Sequence, residues 1–288
     1  MNGVTATAYA ERFDKVFDYI HEHLDEELSV ECLSQVANFS KFHFHRQFSQ
    51  YAGISVIRYI QLMRLRRASY RLAFEEQTRV IEIALEAGFE NPESFSRAFK
   101  NTFGQTPSQF RKAPAWQPWA EQYRFPNRDR RQTMNVKIVE FPQTMVAVLE
   151  HRGAPEQVNS TAKRFIEWRK ASGLSPVKTS NTFGIAYDDP ATTAPESFRF
   201  DICGSVNERV PNNQQGIVNK VIPAGRCAVI RHLGPHNQMD KGVYYLYREW
   251  LPESGEELRD FPLFFHYLNL LPETAEHELI TDIYLPLQ

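Results

Sequence analysis

Hydrophobic residues in the first 112 positions recur at helical spacing, most clearly in residues 81–112. Phe95, Phe99 and Phe103 fall at i, i+4 and i+8, so they form one apolar stripe on a predicted helix. A predicted helix before it ends at Gly88, a residue type that suits the left-handed conformation at a helix end. Two short helices joined at a glycine predict a helix-turn-helix unit.

Residues 29–60 repeat this pattern at an offset of 51 residues. The matching pairs are Phe44/Phe95, Arg46/Arg97, Phe48/Phe99, Gly53/Gly104, Ser55/Thr106 and Tyr59/Phe110. Residues 55–75 between the two units read as one helix, which would span about 31 Å at ~1.5 Å per residue. This length is close to the ~34 Å of one turn of DNA. The sequence therefore predicts two helix-turn-helix units, spaced along one face of a duplex, within a single chain.

Residues suited to helix caps stand at the predicted boundaries. Asn91 directly precedes Pro92 at the start of a predicted helix, and Ser29 and Ser40 can cap two helices of the first unit. Residues 9–24 form a further amphipathic pattern whose outer face is acidic. We expect this helix to be a structural cover rather than a DNA-binding surface.

Residues 113–133 contain prolines and arginines without periodicity, and they are predicted to be a linker. Trp116 and Trp119 within it are expected to pack on a neighbouring surface. The linker separates a helical domain, residues 1–112, from a domain with a different pattern, residues 134–288.

From Asn135 onward the hydrophobic pattern is that of strands. Residues 136–153 alternate or run apolar, a helix is predicted at roughly 155–172, and two further strands follow. The same order recurs 81 residues later, with the identities Pro142/Pro223, Ala147/Ala228, Val148/Val229, His151/His232, Gly153/Gly234, Phe183/Phe264, Asp201/Asp282 and Ile202/Ile283. This repetition predicts a tandem βαββ duplication, roughly residues 134–208 and 217–288. The predicted fold class is thus multidomain, all-α followed by α+β.

The composition is ordinary for a soluble protein, with 42% hydrophobic and 24% charged residues among 288, a length that suggests two domains. No apolar run reaches the roughly 18 residues of a membrane span, and no secretory signal is evident. Cys32, Cys203 and Cys227 form neither a metal-binding spacing nor a disulfide framework. We therefore expect a cytoplasmic protein with no membrane partner.

The net charge of −2 conceals a segregation along the chain. Residues 1–39 carry −6, residues 40–112 carry +6, and residues 132–288 carry −4. Only the central block favours a polyanion such as DNA, and it contains both predicted helix-turn-helix units.

The central block also resembles the signature of the AraC/XylS family of transcription regulators. The matching residues are Ala84, Ala87, Gly88, Phe89, Phe95, Arg97, Phe99, Lys100, Phe103, Gly104, Thr106, Pro107, Phe110 and Arg111. The resemblance implies binding to double-stranded DNA and makes RNA polymerase an expected partner. Because both predicted helix-turn-helix units lie in one chain, we expect residues 1–115 to bind DNA as a monomer.

The second half resembles the gyrase-inhibitor-like effector-binding domain that is attached to some bacterial regulators. The residues that carry this resemblance are 222–225, 231–235, 250–255, 267–269 and 281–287. It implies that residues 134–288 bind a small-molecule effector.

Base-reading side chains are expected near the start of each recognition helix, on its outward face. The candidates are Lys41, Phe42, His45 and Arg46 in the first unit, and Asn91, Glu93, Ser94 and Arg97 in the second. Arg46 suits guanine or a phosphate, Phe42 a thymine methyl or a sugar, and Glu93 a cytosine amino group. Two alternatives stay open. Arg46 and Arg97 could form structural ion pairs, and Glu93 could serve only to stabilise a helix N-terminus.

Other charged and histidine residues of this half carry weaker predictions. Four arginines of the connecting helix are expected to be a solvated or phosphate-facing set, namely Arg64, Arg66, Arg67 and Arg71. His23, His43 and His45 do not predict a metal site, because His43 and His45 are two residues apart on a helix and point in different directions. No metal or cofactor is expected.

A duplicated sheet forms a seam between its halves, and small ligands bind at such seams. The aromatic candidates for this site are Phe183, Tyr187, Tyr247, Trp250, Phe265, Tyr267 and Tyr284. The alternative for each of them is a place in the hydrophobic core.

The resemblance also implies a glutamate in the strand that ends in Tyr-Leu-Asn, where it pairs with cationic ligands. Phe265 occupies this position here, while Asp282 or Glu249 could supply a charge instead. We therefore expect neutral aromatic molecules to bind better than cations.

Taken together, these features predict a DNA-binding transcription regulator that senses a small, aromatic or lipophilic molecule, and not an enzyme. Two alternatives are a regulator whose C-terminal domain binds a protein partner, and a small-molecule hydrolase like some relatives of the effector domain. The second is disfavoured because those hydrolases use the glutamate that Phe265 replaces.

Overall fold

The capped helices of the first half and the strands of the second half form two separate units in a computed structural model. The structure describes residues 2–116, 134–271 and 273–288, apart from the side chains of residues 2–11 and of Phe42. The N-terminal unit is helical and the C-terminal unit combines an antiparallel sheet with helices, as predicted.

The helices described in the N-terminal unit are α1 (Asn2–Glu22), α2 (Val30–Val36), α3 (Lys41–Ala52), α4 (Val56–Phe74), α5 (Val80–Glu86), α6 (Pro92–Phe103) and α7 (Pro107–Lys112). Gly53 and Gly104 follow α3 and α6 with φ angles of 75° and 74°, the left-handed region that glycine occupies without strain. Ser55 and Thr106 then accept hydrogen bonds from the first turns of α4 and α7. Both recognition helices therefore end in the same way, at a left-handed glycine followed by a capping Ser or Thr.

The apolar stripes of the two recognition helices are buried, as predicted. Phe48 of α3 meets Tyr59 of α4 edge-on, with ring centroids 5.9 Å apart. The equivalent rings of the second unit, Phe99 of α6 and Phe110 of α7, meet edge-on at 5.4 Å. The sequence repeat at an offset of 51 is thus also a repeat of side-chain contacts.

Helix α4, which connects the two units, has 19 residues and a length of about 28 Å. It is slightly shorter than predicted because Ser55 and Glu75 are its capping residues rather than members of the helix.

Trp116 is buried, with 1% of its surface exposed, and packs edge-on against Phe110 at 5.2 Å. This confirms the predicted packing for Trp116, whereas Trp119 lies outside the described residues. The ordered N-terminal unit therefore continues past residue 112 and includes at least Trp116.

The strands of the C-terminal unit are β1 (Lys137–Phe141), β2 (Thr144–Arg152), β3 (Thr182–Ala186), β4 (Arg199–Ser205), β5 (Ile217–Ile222), β6 (Gly225–Leu233), β7 (Phe264–Tyr267) and β8 (Ile280–Pro286). They form one sheet in the order β1-β6-β8-β7-β3-β4-β2-β5, in which every neighbouring pair is antiparallel. If β1–β4 are exchanged with β5–β8, the same order is read from the other end. The two halves meet where β3 pairs with β7.

The described helices of this unit cover one face of the sheet. Helix α8 (Val158–Ser172) packs over β2 and β4. Helix α9 (Asp240–Tyr245), a π-helical turn (Leu246–Trp250) and α10 (Leu251–Ser254) form a continuous segment over β6 and β8. We call this side the helical face. The hydrophobic cluster on the opposite side contains no residue of these helices, and we call that side the open face.

Candidate functional site

Arg46 and Arg97 occupy equivalent outward positions on the two recognition helices, α3 and α6. Both side chains are exposed, and neither forms an ion pair or a side-chain hydrogen bond within the part of the chain that the structure describes. The structural ion pairs that the alternative interpretation requires are thus missing among those residues. Two unpaired guanidinium groups are free to meet base edges or phosphates.

The other candidates on α3 surround Arg46. His45 is exposed, and Lys41 forms an ion pair with Glu31 of α2, in which both side chains are 58% exposed. Such a solvent-exposed pair contributes little and can be exchanged for a phosphate. The side chain of Phe42 lies outside the described residues.

The candidates at the start of α6 have a structural role in addition to their exposure. The side chain of Asn91 accepts a hydrogen bond from the Ser94 amide at 2.8 Å, and the Ser94 hydroxyl donates to the Asn91 carbonyl at 2.8 Å. The amide NH₂ of Asn91 remains a donor, as adenine recognition would require. Glu93 is exposed in the first turn of the helix, where its charge is favourable whether or not it meets a base.

Asn91→Ala is expected to destabilise the protein by about 1 kcal/mol, because one orphan amide of the helix start loses its acceptor. The matched control is Ser40→Ala at the equivalent N-cap of α3, where the side chain makes no capping bond. Urea unfolding of the full chain measures both variants. Equal losses for the two would contradict the capping role of Asn91.

The prediction that the arginines of α4 form a solvated or phosphate-facing set is wrong. Arg64 donates to the carbonyls of Leu24 and Glu26 at 2.9 and 2.7 Å, and burial lowers the pKa of its guanidinium. Arg66 is almost fully buried. Arg67 is paired with Asp25, and Arg71 is paired with Glu75 and Glu86. Arg64 and Arg67 thus tie α4 to the segment after α1, and Arg71 ties it to α5. Arg66 is instead paired with Glu276 at 2.9 Å.

The seven aromatic candidates of the C-terminal unit do not come together in one place. Phe183, Tyr187 and Tyr284 belong to the cluster on the open face. Phe265, Tyr267 and Trp250 belong to the cluster on the helical face, and Tyr247 lies on the π-helical turn that packs there. The division follows from strand geometry, because consecutive residues of a strand point to opposite faces. One small-molecule site cannot include all seven.

On the open face, the candidates are engaged in core packing or in ion pairs. Phe183 is 1% exposed. The Tyr187 hydroxyl donates to the fully buried carboxylate of Asp201 at 2.8 Å, and Asp201 also accepts from Lys220 at 2.6 Å and Arg152 at 3.3 Å. Burial and the hydrogen bond to Asp201 raise the pKa of Tyr187. On this face, the Asp201 carboxylate is thus fully hydrogen-bonded to its neighbours beside a packed hydrophobic cluster.

On the helical face, small residues of β3 lie between the two helical segments. A Cβ at Gly184 would lie 2.4 Å from the Phe200 ring and 2.8 Å from the Tyr267 hydroxyl, so only glycine allows these side chains to converge. Phe200 packs against the clusters under both helical segments. Phe265 and Tyr267 extend from β7 on the same side. We call this region, between α8 and α9–α10 over β3 and β7, the seam.

Neither acid proposed as a substitute for the missing glutamate lies at the seam. Asp282 belongs to the open face, where Arg231 donates to both its oxygens at 2.7 and 2.8 Å, and Glu249 is exposed. The Asp189 carboxylate does contact the helical segment, where it accepts a hydrogen bond from the Tyr244 hydroxyl of α9 at 3.1 Å. No pattern in the sequence indicated Asp189, because it lies in a polar stretch after β3 that is typical of a turn.

Among the side chains that the structure describes, no group of three or more His, Cys, Asp and Glu residues is arranged to hold a metal ion. Within the same residues, no helix combines the length and apolar character needed to cross a membrane.

Residues 134–288 match the family described as the GyrI-like small molecule binding domain, and residues 33–113 match a helix-turn-helix domain. The chain is 52% identical over 155 residues to the probable transcriptional regulator YgiV of Escherichia coli strain K12, covering 54% of this chain and 97% of that relative. It is 34% identical over 98 residues to the right origin-binding protein of the same strain, covering 34% of each chain.

A third relative is the uncharacterized HTH-type transcriptional regulator YbfP of Bacillus subtilis strain 168, which is 41% identical over 103 residues, covering 36% of this chain and 35% of that one. Among solved structures, the EcmrR C-terminal domain aligns at 18% identity with a TM-score of 0.45, covering 55% of this chain and 99% of that domain. YgiV thus matches the second half of the chain, whereas the right origin-binding protein and YbfP match about a third of their own length.

Proposed function

The chain belongs to the GyrI-like family of small-molecule-binding domains and carries an AraC-type helix-turn-helix domain before it, and we propose that it works as a transcription regulator in the following way. The helical unit binds two successive major grooves of a duplex as a monomer. The C-terminal unit binds a small aromatic molecule at the seam. The protein is a regulator and not an enzyme.

The observation that carries the DNA-binding proposal is the pair of exposed, unpaired guanidinium groups at equivalent positions of α3 and α6. Arg46 and Arg97 are offset by the 51 residues of the repeat, and the helices that carry them end in the same glycine and are followed by the same cap. Equivalent arginines in tandem units favour contacts to equivalent sites one turn apart. Helix α4, at about 28 Å, has a length suited to this spacing.

We expect the helical unit to bind duplex DNA as a monomer, because both readers lie in one polypeptide. The test uses residues 1–131, a fragment longer than 1–115 so that it retains the buried Trp116, and a duplex selected from a random pool. Sedimentation should give one protein per duplex, and affinity should fall linearly with the logarithm of salt concentration.

The matched control duplex carries about 5 additional base pairs, half a turn, between the two protected segments. This insertion moves the second site to the opposite side of the duplex, so a monomer that needs both sites should lose affinity. Binding only as a dimer, or binding that ignores the insertion, would contradict the proposal.

The effector proposal places the ligand at the seam, against Phe265, Tyr267, Trp250 and Tyr247. Aromatic side chains offer a large contact area, and the seam lies between helices, where pockets commonly form. Phe183, Tyr187 and Tyr284 are not part of this proposed site. A neutral aromatic molecule fits an aromatic site at which Phe265 stands in place of an acid.

The remaining organisation is also part of this proposal. Residues 1–112 form the DNA-binding domain, 113–133 the linker and 134–288 the effector domain. The strand order, which reads the same from either end when the halves are exchanged, supports origin of the effector domain by a tandem duplication. Within the described residues, each half has four strands in the order ββαββ, one more than the predicted βαββ unit. RNA polymerase is the proposed protein partner, in the cytoplasm.

A further inference from the structure

Arg169, near the end of α8, is a buried cation that forms no ion pair with any residue that the structure describes. Only 2% of its surface is exposed. Its Nη1 atom donates to the Thr182 hydroxyl at 2.7 Å and its Nε atom donates to the Ser175 carbonyl. Its Nη2 atom is buried and has no partner among the described residues. One nitrogen of the guanidinium is thus left to donate to something else.

Among the described residues, no carboxylate near Arg169 balances its charge. Burial lowers the pKa of its guanidinium to about 10, and no acidic group raises that pKa. The side chain therefore remains charged at neutral pH. A buried charge is normally paired, since desolvation without a partner is costly. An unpaired one marks a place where an anion would be stabilised.

Arg169 lies at one end of the seam. Thr182, which it contacts, stands directly opposite Tyr267 in the pairing of β3 with β7 and opposite Gly204 in the pairing with β4. Opposed residues of antiparallel strands have Cβ atoms about 5 Å apart. A Cβ at Gly204 would lie 2.4 Å from the Ser175 hydroxyl and 3.3 Å from the guanidinium carbon of Arg169, so glycine at this position lets both side chains approach the sheet.

The Tyr267 hydroxyl, which lies over Gly184 at the seam, is a second unpaired donor. It makes no hydrogen bond within the described part of the chain, and burial raises its pKa. Asp189, the carboxylate beside α9, lies past the far end of β3. The strand carries the chain about 13 Å from Thr182 to Ala186. Within the described residues, the end of the seam near Arg169 thus has hydrogen-bond donors and no acid.

We propose that the effector bound at the seam is an aromatic molecule with an anionic group, such as a carboxylate, and that Arg169 is its counter-charge. The inference rests on the proposed function, because it assumes that the seam is the effector site. The aromatic body lies against Phe265 and Trp250, and the carboxylate accepts from Nη2 of Arg169 and from the Tyr267 hydroxyl.

The test uses the full chain and three probes with one ring system: naphthalene-2-carboxylate, naphthalene-2-carboxamide and a 2-naphthyl trimethylammonium ion. Calorimetry at neutral pH is expected to show the carboxylate binding about 10-fold or more tighter than the amide, because charge-assisted hydrogen bonds are the stronger ones. Equal or weaker binding of the carboxylate overturns the inference. If the amide still binds better than the cation, the proposed function stands. If no probe binds, the proposed function fails too.

Two charge-matched variants locate the anion. Arg169→Gln should reduce the ratio of carboxylate to amide affinity to about 1, whereas Lys170→Gln, on the neighbouring exposed residue of the same helix, should leave it unchanged. Equal losses in both variants would indicate general attraction and overturn the inference.

Tyr267→Phe leaves α8 intact and should lower the ratio partly, so the assignment remains testable if Arg169→Gln does not fold. An unchanged ratio in Tyr267→Phe removes that hydroxyl from the site.

Discussion

Replacing Arg46 or Arg97 with alanine is expected to weaken binding to the selected DNA site by about 1–3 kcal/mol in each case, because a bidentate arginine contact to guanine has this value. Each variant should also relax the preference at one base pair, and the two positions should lie about one turn apart. The expectation follows from two exposed guanidinium groups that have no protein partner among the described residues.

Competition with random DNA separates the possible roles of these arginines. If the arginine reads a base, its alanine variant loses affinity for the selected site only. If the arginine holds a phosphate, the variant loses affinity for every sequence equally. Lys15→Ala provides the control, since Lys15 is exposed on α1, outside the recognition helices. If neither arginine variant changes binding to either DNA, the surface of α3 and α6 is not the reader.

The helical half of the fold was predictable because its signals are local. Gly88, just past the end of α5, has the predicted left-handed conformation with a φ angle of 76°, and Phe48 and Phe99 are buried as their helical spacing indicated. Spacing and capping depend on neighbours within a few residues, and a single sequence contains all of them.

The partners of charged side chains were not predictable in the same way. Arg64 binds two carbonyls about 40 residues away in sequence, and nothing in the local pattern distinguishes it from a solvated arginine. The burial of Arg169 was unpredictable for the same reason, because it depends on how closely α8 approaches Gly204. Such contacts are decided by tertiary packing, which residue type alone does not specify.

The division of the aromatic candidates could have been anticipated from alternation. Phe264 and Phe265 are consecutive in β7, so they must point to opposite faces of the sheet, and Phe264 is stacked on Tyr284 with centroids 4.9 Å apart. The predicted site was chosen by the number of aromatic residues in the sequence, and this number combines residues from both faces of the sheet. What alternation could not tell is which face the helices cover.

Phe265→Glu is expected to reverse the preference of the seam between neutral and cationic ligands. In the unmodified protein a quaternary cation buried against Phe265 would pay several kcal/mol of desolvation without a paired carboxylate, and cation–π contacts of about 0.5–2 kcal/mol do not offset this cost. Phe265 is 7% exposed and shares the seam with Tyr267, so an introduced carboxylate would be partly desolvated and would pair strongly with a cation.

The matched control for this reversal is Phe265→Gln, which has the size of glutamate and no charge. Calorimetry with a neutral aromatic amide and a quaternary ammonium probe of the same ring system should show the cation favoured by the glutamate variant alone. An anionic probe should be weakened by that variant, because the new carboxylate repels it and competes for Arg169. Tighter binding of the cation by the unmodified protein would contradict the argument, and Asp189, beside Tyr244 of α9, would be the first acid to replace in search of the cation's partner.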